Sequence, residues 1–366
     1  MPVTDGRGLE RFIGFPYAHY RGDPLWVPQL RMDMRTLLSP KKNPFFQHAQ
    51  AQYFLALDGG GRIVGRIAGI TNAAHNAEHH DKIGFYGFFE SVNDPDVARA
   101  LFDAAGSWVK AKGMDTLRGP MSPSINDECG LLVEGFDTPP TLMMPHNPRY
   151  YVQLTEGAGF RKAMDLLCYQ PARPAPPERV ARAADVLAKR KGITLRPFNM
   201  KRFKEEVELI KKLYNDAWEK NWGFVPMTDA EIDHLAKQLK PVVVPDLIVF
   251  AETAGQTVGF AVALPDMNVA LKHNPSGRLF PGLISILWAA RKINRARILL
   301  LGTIPEYRGS GIDAMLYHWI WTKANAHGIF WGEGGWVLDN NPAMKNGMIR
   351  LGFEAYKTYR VFDRPL

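Results

Sequence analysis

The chain has 366 residues, with 46% hydrophobic and 22% charged residues and a net charge of +8. This length predicts two lobes, while no apolar run approaches the roughly 20 residues of a membrane span, and two cysteines, Cys129 and Cys168, are too few for a disulfide scaffold or a thiolate zinc site. The basic excess favours an anionic partner, but the cations are spread over many segments, so no nucleic-acid partner is expected.

The first elements of the chain predict a cytoplasmic α/β protein. Residues Met1 to Glu10 are polar and lack the apolar run of a signal peptide. A hairpin is predicted at Tyr53 to Ile70, around the turn Asp58-Gly59-Gly60-Gly61, and a strand at Ile83 to Glu90. The nearby His75, His79, His80 and Asp81 match no standard ligand spacing, so no metal site is expected.

A long loop follows the first lobe's helix, from Met121 to Pro140. It makes this lobe about twenty residues longer than the corresponding part of the second lobe, and loops of that length are usually functional or disordered. Apolar residues within it favour an ordered loop. Asn126-Asp127-Glu128 is its densest polar cluster, and His146 follows it; these residues are candidates for a general base.

A proline-rich segment, Pro171 to Pro177, marks the boundary between the lobes. The predicted division is residues 1–170, then a linker and connecting helix at 171–192, then residues 193–366. The second lobe repeats landmarks of the first: a hairpin at Leu247 to Leu264, and an Asn-Pro pair followed by a Gly-Phe pair and a strand. The Asn-Pro pairs begin at Asn147 and Asn341. The halves therefore look like two copies of one α/β unit.

An apolar segment with a basic end occupies Leu279 to Arg297. Its first twelve residues are nearly all apolar and too short to span a bilayer, and Arg291, Lys292, Arg295 and Arg297 follow at once. Such a helix can lie on an anionic inner-membrane surface or line a lipid pocket. The alternative is a core helix with a solvated end.

A strand, a glycine turn and a helix follow in order. The strand is Ile298 to Ile304, and the turn is Arg308-Gly309-Ser310-Gly311. The helix shows apolar residues from Ile312 onward at helical spacing. The glycines let the free N–H groups of the first helical turn converge, and the helix dipole favours negative charge there. This arrangement predicts a pyrophosphate-binding turn.

The turn and its flanking elements resemble the GNAT superfamily, whose signature is Arg or Gln, two residues, Gly, one residue, then Gly or Ala. Arg308 and Gly311 match, and Asp313 departs from the pattern at the last position. The resemblance implies an α/β fold with two GNAT-like lobes, each a mixed, mostly antiparallel splayed sheet flanked by helices. It implies acyl-CoA as a donor substrate, with no permanently bound cofactor. The implied donor-site residues are Gly302, Thr303, Ile304, Arg308, Gly309, Ser310, Gly311, Ile312 and Asn341.

The first lobe carries no counterpart of the phosphate turn. After its strand, Ser91 to Asp96 contains acidic residues and proline in place of arginine and glycine. One donor site, in the second lobe, is therefore expected.

Acyl transfer to an amine needs a base for the ammonium proton, a donor for the oxyanion and an acid for the thiolate. In GNAT-like enzymes a backbone amide at the splayed strand, here near Gly302 to Ile304, serves the oxyanion. Their usual acidic tyrosine falls on Met348 here, so Tyr356 and Tyr359 are the substitutes. The candidate catalytic residues are Glu333, Asp127, Glu128, His146 and Tyr359.

Three aromatic segments narrow the resemblance. They are DPLWVPQL from Asp23, KNPFFQHA from Lys42 and AWEKNWGFVPMT from Ala217. They look like a branch of two-lobed GNAT proteins that includes bacterial ceramide synthases, which implies a long-chain acyl-CoA donor and a sphingoid base or other lipid-like amine as acceptor. An N-acetyltransferase of a small polar amine, and a non-catalytic acyl-CoA or lipid-binding protein, remain the alternatives.

Overall fold

The computed structural model describes residues 1–173, 175–218 and 221–366. Pro174 of the proline-rich linker, and Glu219 and Lys220 of the third aromatic segment, lie outside the described residues. The chain forms two compact units. Unit 1 contains Met1–Leu166, Ala270–Ala290 and Lys357–Leu366, and unit 2 contains Leu167–Val269 and Arg291–Tyr356. The division into lobes at residues 170 and 193 stays a prediction.

The elements follow the predicted alternation of strands and helices. The helices are α1 (Gly6–His19), α2 (Arg31–Leu37), α3 (Ala73–His79), α4 (Pro95–Lys110), α5 (Tyr150–Gly157), α6 (Glu178–Lys191), α7 (Phe203–Trp218), α8 (Asp229–Leu239), α9 (Asn268–Leu271), α10 (Leu279–Ala290), α11 (Ile312–Ala326) and α12 (Pro342–Arg350). The strands are β1 (Ala49–Leu57), β2 (Ile63–Asn72), β3 (Ile83–Ser91), β4 (Thr116–Gly119), β5 (Met121–Ser122), β6 (Glu128–Cys129), β7 (Leu131–Glu134), β8 (Arg161–Pro171), β9 (Thr194–Pro197), β10 (Ile248–Thr253), β11 (Gln256–Pro265), β12 (Arg295–Thr303), β13 (Trp331–Leu338) and β14 (Phe353–Pro365).

The two units share one strand pattern. In unit 1, β1, β2 and β3 are successively antiparallel, β4 is parallel to β3, and the end of β14 is antiparallel to β4. In unit 2, β9, β10, β11 and β12 are successively antiparallel, and β13 is parallel to β12. A helix joins the parallel strands in each unit, α4 in unit 1 and α11 in unit 2. The predicted α/β fold with mixed, mostly antiparallel sheets is confirmed.

Each joining helix buries one apolar face against its sheet. In unit 1, α4 buries Leu101, Phe102, Ala105 and Val109 against β1 to β3. In unit 2, α11 packs on β10 to β12 and on α6 through a face that begins at Ile312. A fully buried Leu or Phe side chain contributes about 1.5–3 kcal/mol relative to exposure. These faces therefore fix the start of each helix relative to the preceding strand.

The Met121 to Pro140 loop is ordered within unit 1. It contains the β5–β6 hairpin, and its β7 pairs with β14 through Leu131 and Leu132. Both leucines are buried. The order follows from the apolar residues, which cover part of the unit 1 core.

Helix α10 is apolar on both sides but buried on only one. Phe280, Ile284, Leu287 and Trp288 are 73%, 79%, 60% and 54% exposed, while Ile286 is buried. Ile284, Leu287 and Trp288 share one face of the helix, and Phe280 precedes them at a position where the backbone is not helical. No helix in the described part of the chain is both long and apolar enough to cross a membrane. The predicted core-helix alternative therefore accounts for one face of α10 only.

Unit 1 also contains a buried histidine that makes its stability depend on pH. His75 in α3 is 2% exposed, and burial, reinforced by His79 and Arg118, lowers its pKa from 6.5 to about 3. Below pH 6.5, His75 is therefore protonated in the unfolded chain, whereas in the folded chain it stays neutral down to about pH 3. This contribution to stability is complete above pH 6.5 and is lost progressively as the pH falls.

We expect the urea midpoint of a His75→Leu variant to fall less between pH 7 and pH 4.5 than that of the wild type, because the variant lacks this proton uptake. Urea titrations at the two pH values measure the difference. His19, whose pKa burial lowers to about 4, retains a smaller acid sensitivity in both proteins. Equal midpoint shifts in the two proteins would contradict the assignment to His75.

Candidate active site

Strands β12 and β13 separate partway along unit 2. Their parallel pairing runs only from Arg295 with Trp331 to Ile298 with Gly334. A register shift on the other side, opposite Val262 and Ala263, leaves Leu299 as an extra residue in β12. Such a bulge bends its strand and ends regular pairing. The later residues of β12 therefore have β11 on one side and no β13 partner on the other.

The direction of the β12 amides follows from one hydrogen bond. Ile304 donates its N–H to the Val258 carbonyl at 3.0 Å. Hydrogen-bonded and non-hydrogen-bonded pairs alternate along antiparallel strands, and the register is regular from Leu300 to Thr303. The amides of Gly302 and Ile304 therefore face β11, whereas those of Leu301 and Thr303 face the gap left by β13. Of the three predicted oxyanion donors, only Thr303 faces the gap, and Leu301 joins it.

The glycine turn leads into a helix start that no described side chain caps. Gly309 and Gly311 have φ values of +71° and +89°, and among the described side chains none accepts from the first amides of α11. Ser310 donates its amide to the Tyr307 carbonyl at 3.2 Å, so this N–H belongs to the turn. The first N–H groups of a helix have no intrahelical partner. The open amides are thus those at the start of α11, with exposed Arg308 beside them and Asp313 in the first turn.

The equivalent positions of unit 1 are filled by its own chain. Asp94 caps α4 by accepting from the amides of Asp96 and Val97, at 2.9 and 3.3 Å. Phe88, which bulges from β3 with φ of +52°, donates its amide to Ser122 Oγ at 2.9 Å. A Cβ at Gly87 would lie 1.8 Å from the Met121 carbonyl oxygen. Unit 1 thus has neither an open helix start nor an open strand gap at these positions.

A buried carboxylate lies at the mouth of the unit 2 gap. Glu333 is fully buried and pairs in register with Arg297, one residue before the last β12–β13 pair. Its Oε1 lies 3.4 Å from Arg297 Nε, and its Oε2 accepts a hydrogen bond from the Tyr356 hydroxyl. Tyr356 is partly exposed. The predicted base Glu333 is therefore connected to the surface through a tyrosine that the sequence suggested only as a possible acid.

Two of the cations assigned to a membrane surface are engaged inside unit 2, which corrects that part of the sequence prediction. Arg297 is buried against Glu333 and donates to the Gly335 carbonyl at 3.1 Å. Arg295 pairs with the buried Asp266 at 2.7 Å and lies over the Trp331 ring. Burial of Arg297 and the ion pair of the partly exposed Arg295 with a buried carboxylate leave neither guanidinium group free for headgroup contact. Arg291 and Lys292 remain exposed.

The other predicted catalytic residues belong to unit 1. Asp127 accepts from Ser124 Oγ at 2.6 Å, and Glu128 accepts from Gln29 at 2.8 Å. His146 Nε2 lies 2.8 Å from Asp23 Oδ2. Tyr359 is fully buried. Of the five predicted catalytic residues, Glu333 is therefore the one that belongs to the same unit as the glycine turn.

The Asp23–His146 pair was missed by the sequence reasoning. Burial lowers the pKa of His146 despite the opposing effect of Asp23. Among the described residues, its buried Nδ1 has no hydrogen-bond partner. The two residues are far apart in sequence, so no local pattern could have predicted their contact. Asp23 was visible only as the first residue of the first aromatic segment.

The two Asn-Pro pairs have different local roles. Asn341 caps α12 by accepting from the Met344 amide at 3.0 Å. Asn147 instead binds both backbone groups of Leu132, at 2.8 and 3.1 Å. The repeat predicted from these pairs is therefore visible in strand order and not in the hydrogen bonds of the asparagines. Among the described residues, no cluster of three or more His, Cys, Asp or Glu could hold a metal ion.

Comparison with known proteins gives full-length relatives. The chain is 37% identical to the "Bacterial ceramide synthase" of Caulobacter vibrioides, over all of this chain and 97% of that protein. It is 36% identical to "Protein YghO" of Escherichia coli, over 98% of this chain and 93% of that protein. No protein-family model matches.

Solved structures share the fold at low identity. A tandem GNAT protein from the clavulanic acid biosynthesis pathway aligns with a TM-score of 0.59 and 12% identity, over all of this chain and 97% of its own. A GCN5-related glucosamine N-acetyltransferase region of a fungal multi-domain β-N-acetylglucosaminidase aligns with a TM-score of 0.59 and 13% identity. This chain spans 38% of that longer chain.

Proposed function

Because this chain belongs to the family of two-lobed GNAT proteins that includes the bacterial ceramide synthase, we propose that it transfers a long-chain acyl group from acyl-CoA to the amine of a sphingoid base or other lipid-like amine. The observation that carries the proposal is the combination, in unit 2, of a start of α11 that no described side chain caps with the gap between β12 and β13. In unit 1 the corresponding positions are occupied by Asp94 and Ser122. The proposed donor site is therefore in unit 2.

The proposed binding mode assigns each part of the donor to groups of unit 2. The pyrophosphate lies on the first amides of α11, where the helix dipole favours negative charge, and Arg308 adds a cation. The thioester oxygen accepts from the amides of Leu301 and Thr303. These amides form stronger hydrogen bonds to the oxyanion of the transition state than to the ground-state carbonyl, so they lower the activation barrier of acyl transfer. Asp313 opposes donor binding through its charge.

The proposed reaction is direct transfer. The ammonium of the acceptor loses one proton, its nitrogen attacks the thioester carbon, and the C–S bond breaks as the amide forms. The thiolate of CoA takes the second proton from nitrogen, so the products are an amide, CoA thiol and one released proton. We propose that the phenolic oxygen of Tyr356 accepts the first ammonium proton while its own hydroxyl proton passes to Glu333. No covalent enzyme intermediate is needed, and both cysteines are buried.

The lipid-like acceptor is supported by α10. Its exposed apolar face fits the acyl region of a bilayer, and the net charge of +8 favours anionic headgroups. We therefore propose a cytoplasmic protein that docks on the anionic inner-membrane surface through α10. Exposed Arg291 and Lys292 follow α10 directly. The name of the Caulobacter relative, a ceramide synthase, agrees with an acceptor delivered from a membrane.

Release of free thiol tests the proposal. The purified chain is incubated with acetyl-CoA or palmitoyl-CoA, each with and without a long-chain sphingoid base. We expect release only with palmitoyl-CoA and the base together. Arg308→Glu should raise the KM for palmitoyl-CoA at least about tenfold, because a charge-assisted phosphate contact is lost.

Lys201→Glu is the matched control, since Lys201 is an exposed cation of unit 2 outside the turn. It makes the same charge change and should leave the KM unchanged. Release with acetyl-CoA and a small polar amine instead would favour the small-molecule N-acetyltransferase. No release from any pair would overturn acyl transfer and favour a binding protein.

A further inference from the structure

Unit 1 contains an open cavity of about 530 Å³ that has no part in the reaction proposed above. Its wall is aromatic. Tyr20 and Trp26 stack with ring centroids 5.3 Å apart, and Tyr17 meets Trp26 edge-on at 5.3 Å. Four cationic side chains also line the cavity: Arg21, Arg31, Lys272 and Arg278.

The cavity carries a positive charge that its own residues leave uncompensated. Asp23 is its one acidic lining residue, and its carboxylate pairs with His146. Among the described residues, no carboxylate forms an ion pair with Arg21, Lys272 or Arg278. Burial raises the pKa of the Tyr17 phenol to about 12, so it adds no negative charge. A concave site with four cations and a single acid attracts an anion.

Hydrogen bonds hold the Arg31 side chain and the turn that carries Arg278. Arg31 donates from Nε to the Ser276 carbonyl at 2.9 Å, and its guanidinium lies 3.8 Å from the centre of the Tyr17 ring. The buried Asn274 donates to the Arg278 carbonyl at 2.8 Å and fixes the turn that carries Arg278. A site in which part of the charge is already positioned, here that of Arg31, loses less conformational entropy when it binds a ligand.

The position of the cavity next to α10 favours a phospholipid headgroup as the anion. Arg278 is two residues from Phe280, the first exposed apolar residue of α10, and consecutive Cα atoms are about 3.8 Å apart. A phospholipid joins a phosphate to acyl chains over a comparable distance. We infer that this cavity binds the phosphate headgroup of an anionic phospholipid whose acyl chains lie along α10. The inference rests on the proposed docking of α10 on a membrane and adds headgroup selectivity to it.

Sedimentation of the full chain with vesicles tests the headgroup site. The vesicles are pure phosphatidylcholine or phosphatidylcholine mixed with phosphatidylglycerol. We expect Lys272→Glu/Arg278→Glu to weaken binding to the mixed vesicles at least about tenfold and to leave binding to the neutral vesicles unchanged. The control Lys41→Glu/Lys42→Glu reverses two exposed cations of the same unit, and both variants go from a net charge of +8 to +4. All four positions are exposed, so the fold should be retained.

The outcomes separate this inference from the docking proposal. Equal losses in the two charge variants would overturn the cavity as a site and leave only general attraction. An Ile284→Ser/Leu287→Ser variant should lose binding to both kinds of vesicle; if it binds normally, α10 docking itself is wrong. Displacement of the wild type from mixed vesicles by millimolar glycerol 3-phosphate at constant ionic strength would show a site for soluble phosphates and overturn the lipid assignment.

Discussion

Replacement of Tyr356 by phenylalanine is expected to lower kcat for acyl transfer by about 10²-fold or more, with little change in the KM for palmitoyl-CoA. The hydroxyl that reaches Glu333 is lost, so the buried carboxylate has no route to the ammonium proton. Glu333→Gln should lower kcat by a similar factor, because an amide cannot take up the proton. The two substitutions should be far from additive in the double variant, since both break one relay. Single-turnover kinetics with both long-chain substrates measure the effects.

Stability distinguishes catalysis from structural support. Glu333→Gln removes the Glu333 carboxylate from the buried Arg297, and breaking a buried ion pair costs about 3–5 kcal/mol. Tyr356→Phe keeps the ion pair and loses one hydrogen bond, which costs about 1 kcal/mol. Glu252→Gln, which removes the partly exposed carboxylate that Arg196 contacts in the same unit, is the control for loss of an ion pair. A Tyr356→Phe variant with wild-type kcat would reduce Glu333 to a structural residue.

Local patterns were sufficient for the glycine turn and most elements. The connecting helix predicted within residues 171–192 is α6, and the apolar spacing from Ile312 onward gave α11. These features depend on residues that are close in sequence, where periodicity and turn chemistry act. The Asp94-Pro95 pair also marks a capped helix start, and it carried enough information to predict the cap on α4.

Pairing between distant segments could not be read in the same way. Arg297 looked like the end of a basic cluster because its neighbours in sequence are cations, whereas β12–β13 pairing places it beside Glu333. Which amides of β12 face the strand gap depends on the bulge at Leu299, and no residue preference predicts that bulge. The placement of Ala270–Ala290 in unit 1 likewise depends on contacts with Tyr17 in α1 and Arg31 in α2. Tertiary contacts decide these features, and propensity does not.

Gly311→Ala is expected to raise the KM for palmitoyl-CoA by at least about tenfold while kcat at saturation changes less. Gly311 has φ of +89°, and a Cβ there would lie 2.5 Å from Leu187 Cδ1 of α6. An alanine costs about 1–2 kcal/mol in this left-handed region, and relief of the contact moves either Leu187 or the start of α11. The amides proposed to hold the pyrophosphate are those that would move. Initial rates over a range of palmitoyl-CoA concentrations measure the change.

Gly192→Ala separates the loss of the site from backbone strain. Gly192 ends α6 in the same unit with φ of +59°, and a Cβ there would meet nothing within 4 Å. This control should lose stability without losing affinity for the donor. If both variants lower stability alike and neither changes the KM, the amides of α11 do not hold the phosphates, and the cation of Arg308 must account for donor binding. If only Gly311→Ala changes the KM, backbone geometry at the start of α11 determines donor affinity, and Asp313 is tolerated because those amides outweigh its charge.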